Sequence, residues 1–317
     1  MSRNLAASIR ARLKQRADAT KQDFNLTLTH YGLERLLYRL SVSPHAANYL
    51  LKGALLFSLW YDQPHRPTRD ADLLGFGPDD LDTAVAAFRE ICQIEVEDGI
   101  AFDPASVKGS VIRKEAGYGG VRIDLRAKLD GARIALQVDI GFGDAVTPAP
   151  ETVSYPVLLE DLPAPQLRSY PKYTVVAEKF HAVCLLGMAN TRMKDYFDLW
   201  VLLAEDALEA AELRRAVEAT FDRRKLAMPS TLPSGLSDAF VQDAAKQRQW
   251  AAFLKKNRLE ALDLAQVVAL LRGEFQKLGA YKNNEEHLAK GKKGTVFGGV
   301  AEVGVTIEEL QRREAKL

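Results

Sequence analysis

The chain has 317 residues, 47% of them hydrophobic and 27% charged, with 43 basic side chains against 42 acidic for a net charge of +1. That apolar content excludes a disordered chain, and the length suits two compact units. The near-zero charge excludes a global attraction to nucleic acid and leaves that role to local basic patches.

The N-terminus, with Arg3, Arg10, Arg12 and Arg16, is almost free of acid, as organelle transit peptides are. An amphipathic helix with Leu5, Ile9 and Leu13 at four-residue spacing explains the same residues. No apolar h-region precedes it, so a cytoplasmic location is expected. Asn25 to Leu40 reads as a helix packed through Tyr31, Leu33, Leu36 and Leu37, and helical patterning extends to about Lys52. Ala46 to Tyr61 is strongly apolar and is interrupted by Gly53. Asp79 to Cys92 reads as a further helix.

Val121 to Arg126 and Arg133 to Ile140 then alternate apolar and polar residues on either side of Gly131, which predicts a β-hairpin. Six prolines between Pro148 and Pro171 predict an extended crossing segment, and Lys172 to about Gly279 is helical in pattern. Residues 280–317 are weakly patterned, with a basic stretch at Lys290 to Gly294. The expected organisation is a core with N-terminal helices over 1–165, a helical C-terminal domain over 166–280 and a weakly structured tail over 281–317. No apolar run approaches the ~20 residues that span a membrane. Cys92 and Cys184 form no CxxC pair, which argues against zinc or a disulfide framework.

Four segments carry candidate chemistry. Lys52-Gly53-Ala54 is followed by Arg66-Pro-Thr-Arg-Asp-Ala-Asp72, and on a strand Asp70 and Asp72 share one face. Two carboxylates so placed can grip Mg²⁺, a hard cation that takes oxygen ligands, or they can simply be solvated acids of a turn. Asp139, in Gln137-Val-Asp-Ile-Gly-Phe-Gly-Asp144, ends an apolar strand opposite in facing to Ile134, Leu136 and Val138. It offers a third metal carboxylate or a base for an attacking hydroxyl, although a strand-end Asp before Gly is also ordinary turn chemistry. Lys179 lies among apolar helix neighbours, where a lysine either reaches out to solvent or meets a buried anion such as a phosphate. Arg192, Asp195 and Asp198 recur at three-residue spacing on one helix face, with Leu199, Trp200 and Leu203 as the expected buried side. His65, beside the Asp70 loop, is a further candidate for phosphate contact, and His181 reads as a packed residue.

Taken in this order, from Leu36 to Leu203, the segments resemble the AbiEii/AbiGii nucleotidyltransferase toxins of type IV toxin–antitoxin systems, within the DNA polymerase β-like superfamily. That pattern is a Lys-Gly-Gly-like turn, Arg-x-Thr/Ser-x-Asp-x-Asp, a strand Asp, a helix Lys and a final Arg-x-x-Asp-x-x-Asp. The resemblance implies an α+β fold with a polymerase-β-like sheet, flanking helices and a helical C-terminal unit that closes a cleft. It implies Asp70, Asp72, Asp139, Lys179 and Asp195 as catalytic residues, the first three also as metal ligands. Lys52, Gly53, Thr68, Arg69 and Lys179 are then the nucleotide contacts. Mg²⁺ is the implied cofactor, with Mn²⁺ as an alternative, and NTP the substrate. The implied activity is transfer of a nucleoside monophosphate to the 3′ end of tRNA, arresting growth in abortive infection. The alternatives are modification of a protein or small molecule, or nucleotide binding without transfer. An AbiEi-like winged-helix antitoxin is the implied partner. One departure stands out: Ala54 replaces the Ser usual in polymerase-β-type turns, so a phosphate there must rely on backbone N–H groups.

Overall fold

The computed structural model describes residues 3–61, 66–113 and 119–281. His65, His287, the Lys290 to Gly294 stretch and all of the expected tail beyond Tyr281 lie outside the described residues. The chain divides into two compact units. One comprises Met1–Ala177 with Asp222–Lys225, and the other comprises Glu178–Phe221 and the chain from Leu226 onward.

The first unit opens with two helices, α1 (Arg3–Ala19) and α2 (Phe24–Val42). Asp23 caps α2 by accepting from the Leu26 N–H at 2.9 Å. As expected, α2 buries Tyr31, Leu33, Leu36 and Leu37. In α1, Ile9 and Leu13 are buried. A Cβ on Gly99, whose φ is +71°, would meet the Ala6 backbone at 3.1 Å, so a bare glycine lets α1 lie against that turn.

Next come β1 (Tyr49–Lys52), the short helix α3 (Leu56–Trp60), β2 (Asp70–Gly75) and α4 (Leu81–Gln93), followed by three long strands. These are β3 (Ala101–Arg113), β4 (Gly119–Leu129) and β5 (Ala132–Phe142). The extension of helical patterning to Lys52 is corrected by β1. All four of its residues are buried, so no alternation marked it, and periodicity cannot separate a fully buried strand from a buried helix. The expected hairpin is β4–β5, turning at Asp130 and Gly131 with φ of 42° and 80°. The proline-rich segment, expected as an extended crossing, instead turns back on itself as the antiparallel strands β6 (Glu151–Ser154) and β7 (Gln166–Ser169).

The seven strands form one mixed sheet in the order β3-β4-β5-β2-β1-β7-β6. Pairing is parallel for β2–β5 and β1–β7 and antiparallel elsewhere. One face carries Val121, Ile123, Ile134, Leu136, Val138 and Ile140, all buried. A Cβ on Gly32 would touch Leu136 at 3.0 Å, which places α2 on that apolar face. The opposite face carries the polar residues of the same strands.

The second unit is helical and begins within α5 (Lys172–Leu186). It continues through α6 (Met193–Glu205), α7 (Ala210–Arg223), α8 (Asp238–Gln242), α9 (Ala244–Asn257) and α10 (Leu264–Lys277). Phe180 stacks on Phe275 with centroids 3.7 Å apart and meets Phe221 at 5.7 Å, forming the apolar centre. Tyr196 stacks on Phe240 and donates its hydroxyl to the Gly235 carbonyl at 2.9 Å. Asp243 and Asp263 cap α9 and α10. The molecule is thus a mixed α+β protein, a seven-stranded sheet with flanking helices and a helical C-terminal unit. No helix among the described residues is long and apolar enough to cross a membrane.

Candidate active site

Strand register lines up a row of charges. Lys52 pairs with Asp72 across β1–β2, Asp72 with Asp139 across β2–β5, and Asp139 with Arg122 across β5–β4. Directly opposed residues point to the same face, so four adjacent strands present Lys, Asp, Asp and Arg in one line. Asp70, two residues before Asp72, lies on that face in the next row, opposite Gln137. Sheet register therefore gathers the predicted acids Asp70, Asp72 and Asp139 on one surface.

Each acid has a local setting. Thr68 donates its hydroxyl to Asp70 Oδ1 at 2.6 Å. His30 on α2 reaches the Thr68 carbonyl at 2.7 Å, and since a carbonyl only accepts, His30 Nε2 carries the proton. Burial lowers the His30 pKa, outweighing that carbonyl, and the nearby Arg69 charge lowers it further. His30 thereby holds the loop that leads into β2. Asp72 lies against Gly53, where a Cβ would stand 2.0 Å from Asp72 Oδ2 and where φ is +75°. Only glycine fits there. Asp139 accepts two hydrogen bonds from Arg122, both of 2.8 Å, in a bidentate fork.

A second cluster borders the row. Lys52 Nζ donates to Asp144 Oδ2 at 2.7 Å, and Arg224 donates to Asp144 Oδ1 at 2.8 Å. Burial pushes the Asp144 carboxyl up, but the charges of Lys52 and Arg224 outweigh it and hold the pKa well below the usual carboxylate range. The sequence reading left Asp144 without a role. The basic run Arg223-Arg224-Lys225, at the end of α7, belongs to the first unit, where Arg223 donates to the Gly143 carbonyl and Arg224 to Asp144. The carboxylate 80 residues away in sequence claims the guanidinium, which no local pattern reveals.

In the second unit, Lys179 Nζ lies 2.9 Å from Asp195 Oδ1 and 2.8 Å from Asp198 Oδ2. Arg192 Nε lies 2.7 Å from Asp195 Oδ2 as an ion pair. Asp195 and Asp198 are fully buried. Of the predicted buried side of α6, Leu199 is buried, whereas Trp200 and Leu203 are half-buried. The acids turn inward to meet Lys179 and rotate those two residues toward the rim, so the charged face is an internal one.

Among the described residues no group of three or more His, Cys, Asp and Glu is assembled to hold a metal ion. Oxygen donors of the kind a hard cation takes are nevertheless present on the row's face. Asp70 and Asp72 are oxygen donors on one face, and Asp139 is the register neighbour of Asp72, although its two oxygens are engaged by Arg122. Arg69 is exposed beside Asp70. His30, Arg122, Asp144 and Arg224 stand beside the predicted residues without having been singled out from the sequence. Arg122 alone had a signal: counting back from the Asp130-Gly131 turn sets it opposite Asp139.

No curated protein matches the sequence. Among solved structures it is similar to JHP933 from Helicobacter pylori, at 14% identity and a TM-score of 0.45, over 81% of this chain and 90% of that one. An antigenic nucleotidyltransferase-like protein from Paracoccidioides brasiliensis is similar at 14% identity and a TM-score of 0.35, over 76% of this chain and 94% of that one. Residues 35–272 match the family model described as nucleotidyl transferase AbiEii toxin, type IV toxin–antitoxin system. That stretch is most of the chain and takes in the sheet acids, Lys52, Asp144 and the Lys179 cluster, so the chain belongs to the AbiEii nucleotidyl transferase toxin family.

Proposed function

We propose that this protein transfers a nucleoside monophosphate from an NTP to the 3′ end of tRNA, in the cytoplasm, under restraint by a cognate AbiEi-like antitoxin. The observation that carries the reading is the register row of Lys52, Asp72, Asp139 and Arg122, with Asp70 beside it. Nucleotidyl transfer needs positioning and charge neutralisation more than covalent participation by the protein. In this reading the acceptor hydroxyl attacks the α-phosphorus of the NTP. A P–O bond forms to the acceptor, the bond to the bridging oxygen of the pyrophosphate breaks, and the hydroxyl proton leaves to a carboxylate.

Asp139 is the group for that proton. Arg122 must first yield one of the two oxygens it holds, and the fork keeps the carboxylate oriented until then. Asp70 and Asp72, with Asp139, would hold Mg²⁺ or Mn²⁺, which supplies neutralisation of phosphate charge when bound. Thr68 fixes Asp70, and Gly53 leaves room for Asp72 and for close approach of a phosphate to the backbone. Lys52 contributes a cation at the edge of the row, and the exposed Arg69 contributes another.

Support for an RNA acceptor is local. Lys255 and Lys256 are exposed at the end of α9, followed by the exposed Arg258. A few such cations suit one RNA element better than unselective binding, since each phosphate contact needs its own charge. The test is incubation of the protein and Mg²⁺ with each α-labelled NTP and separate pools of purified tRNA, tRNA-depleted RNA, protein and small molecules. Label at the tRNA 3′ end supports the reading. Label only on protein or a small molecule overturns the acceptor.

A further inference from the structure

The charged residues on the acid-bearing face of β3, β4 and β5 pair off by register, with one exception. Arg122 faces Asp139, Lys108 faces Asp124 and Arg126 faces Asp103 across adjacent strands. At the hairpin end Lys128 faces Arg133, so two cations stand directly opposite each other. The β3 residue beside Lys128 is Ala101, which brings no acid, and Asp130 in the turn lies 3.8 Å from Arg10. Like charges opposed across a strand pair, with Cβ atoms about 5 Å apart, are destabilising. Both side chains are exposed, and neither makes a hydrogen bond or ion pair among the described residues. An anion lying over the pair relieves that repulsion.

The pair shares its face with the candidate site. Lys128 is in phase with Arg122 along β4, and Arg133 is in phase with Asp139 along β5. From Arg133 to Asp139 the strand runs about 20 Å. On β5 itself this face carries only Ala135 and Gln137 between them, so a polyanion laid along the strand meets no carboxylate of β5 before Asp139. The surface is open rather than a pocket, since Asp124, Arg126, Lys128, Arg133 and Ala135 are all exposed. An open basic surface leading to a row of acids suits a chain of phosphates better than a small ligand.

We infer that Lys128 and Arg133 form a phosphate clamp for the acceptor RNA strand, whose backbone runs along β5 from the hairpin turn to its 3′ end at the acids. The inference rests on the reading of RNA as the acceptor and deepens it by assigning where the strand lies. Arg133 offers a planar fork to one phosphodiester and Lys128 a point charge from the facing strand.

The experiment titrates 5′-fluorescent deacylated tRNA with the full chain by anisotropy over a range of KCl concentrations, without NTP or metal. The wild-type protein is expected to bind with an affinity that falls steeply with salt. The double variant Lys128→Gln, Arg133→Gln is expected to bind about tenfold more weakly at low salt. Its slope of log affinity against log salt is expected to be smaller by about 1.4, two contacts at about 0.7 each. Because the substitutions remove a repulsion, its thermal midpoint is expected to be unchanged or raised. Should the double variant unfold, either single variant is expected to lose about half of that slope. Arg16→Gln, an exposed cation on α1, is expected to match the wild type. Wild-type affinity and slope in the folded variants overturn the clamp and leave transfer to RNA standing. An equal loss in Arg16→Gln also overturns the clamp, because binding is then unselective. Wild-type protein that binds no RNA overturns both the clamp and the RNA acceptor.

Discussion

At the scale of single residues, crowded carboxylates set the expectations. Asp70, Asp72 and Asp139 share a face, and like charges at close range oppose each other. Asp72→Ala is therefore expected to abolish transfer while leaving the unfolding midpoint of the metal-free protein unchanged or raised. Near-wild-type turnover at saturating Mg²⁺ would remove Asp72 from the mechanism. Lys179 behaves differently, because it neutralises two fully buried acids. Lys179→Ala leaves both without that cation and is expected to destabilise the fold by about 3–5 kcal/mol, as well as stopping transfer. Urea unfolding separates the two effects. A variant of wild-type stability would mean that Arg192 alone satisfies the pair. Lys179 was legible as a lysine among apolar neighbours, but its anion proved to be internal. The sequence spacing showed that Asp195 and Asp198 share a face without showing which way that face turns.

At the scale of elements, legibility followed local signals. The β4–β5 hairpin was readable because alternation and a turn-forming Asp-Gly agree, and α2 was readable because its apolar stripe is periodic. β1 was hidden by its complete burial, and β6 and β7 by the prolines around them. The site depends on β1, since it carries Lys52 and Gly53 to the edge of the acid row. Arg122 opposite Asp139 was implicit in the hairpin register, whereas Arg224 on Asp144 is a long-range contact with no local trace. Asp23, Asp80, Asp243 and Asp263 each cap a helix. Asp23→Ala removes the cap of the helix that brings His30 to the Thr68 loop, and is expected to cost about 1 kcal/mol in a denaturant titration. No change in midpoint would show that the packing of α2 makes its cap dispensable.

At the scale of the whole molecule, stability depends on pH through a buried acid outside the row of sheet carboxylates. Burial pushes the Glu34 carboxyl up to about 7, against the Arg35 charge and the Leu158 N–H that both favour its anion. Its unfolded-state value is near the ordinary 4.5. An acid raised on folding contributes stability that is fully present below the unfolded value and is lost as pH climbs toward the folded one. The Glu34→Gln variant is therefore expected to gain on the wild type between pH 4.5 and about 7, and to hold a constant difference above that. Parallel stability–pH curves would place the Glu34 pKa at its ordinary value. Asp144 has the opposite sign, because its depressed pKa stabilises the fold above the ordinary carboxylate range and that contribution fades in acid.

Family membership and the register row of acids converge on one chemical event, cleavage of an NTP between its α- and β-phosphates with capture of the α-phosphoryl nucleoside. The most direct measurement compares α-labelled with γ-labelled NTP, incubated with the protein, Mg²⁺ and total RNA, with Asp72→Ala run alongside. The account predicts that α-label enters RNA, that γ-label is released only as pyrophosphate, and that the variant does neither. Entry of γ-label into RNA, or incorporation of α-label by Asp72→Ala at the wild-type rate, would contradict it.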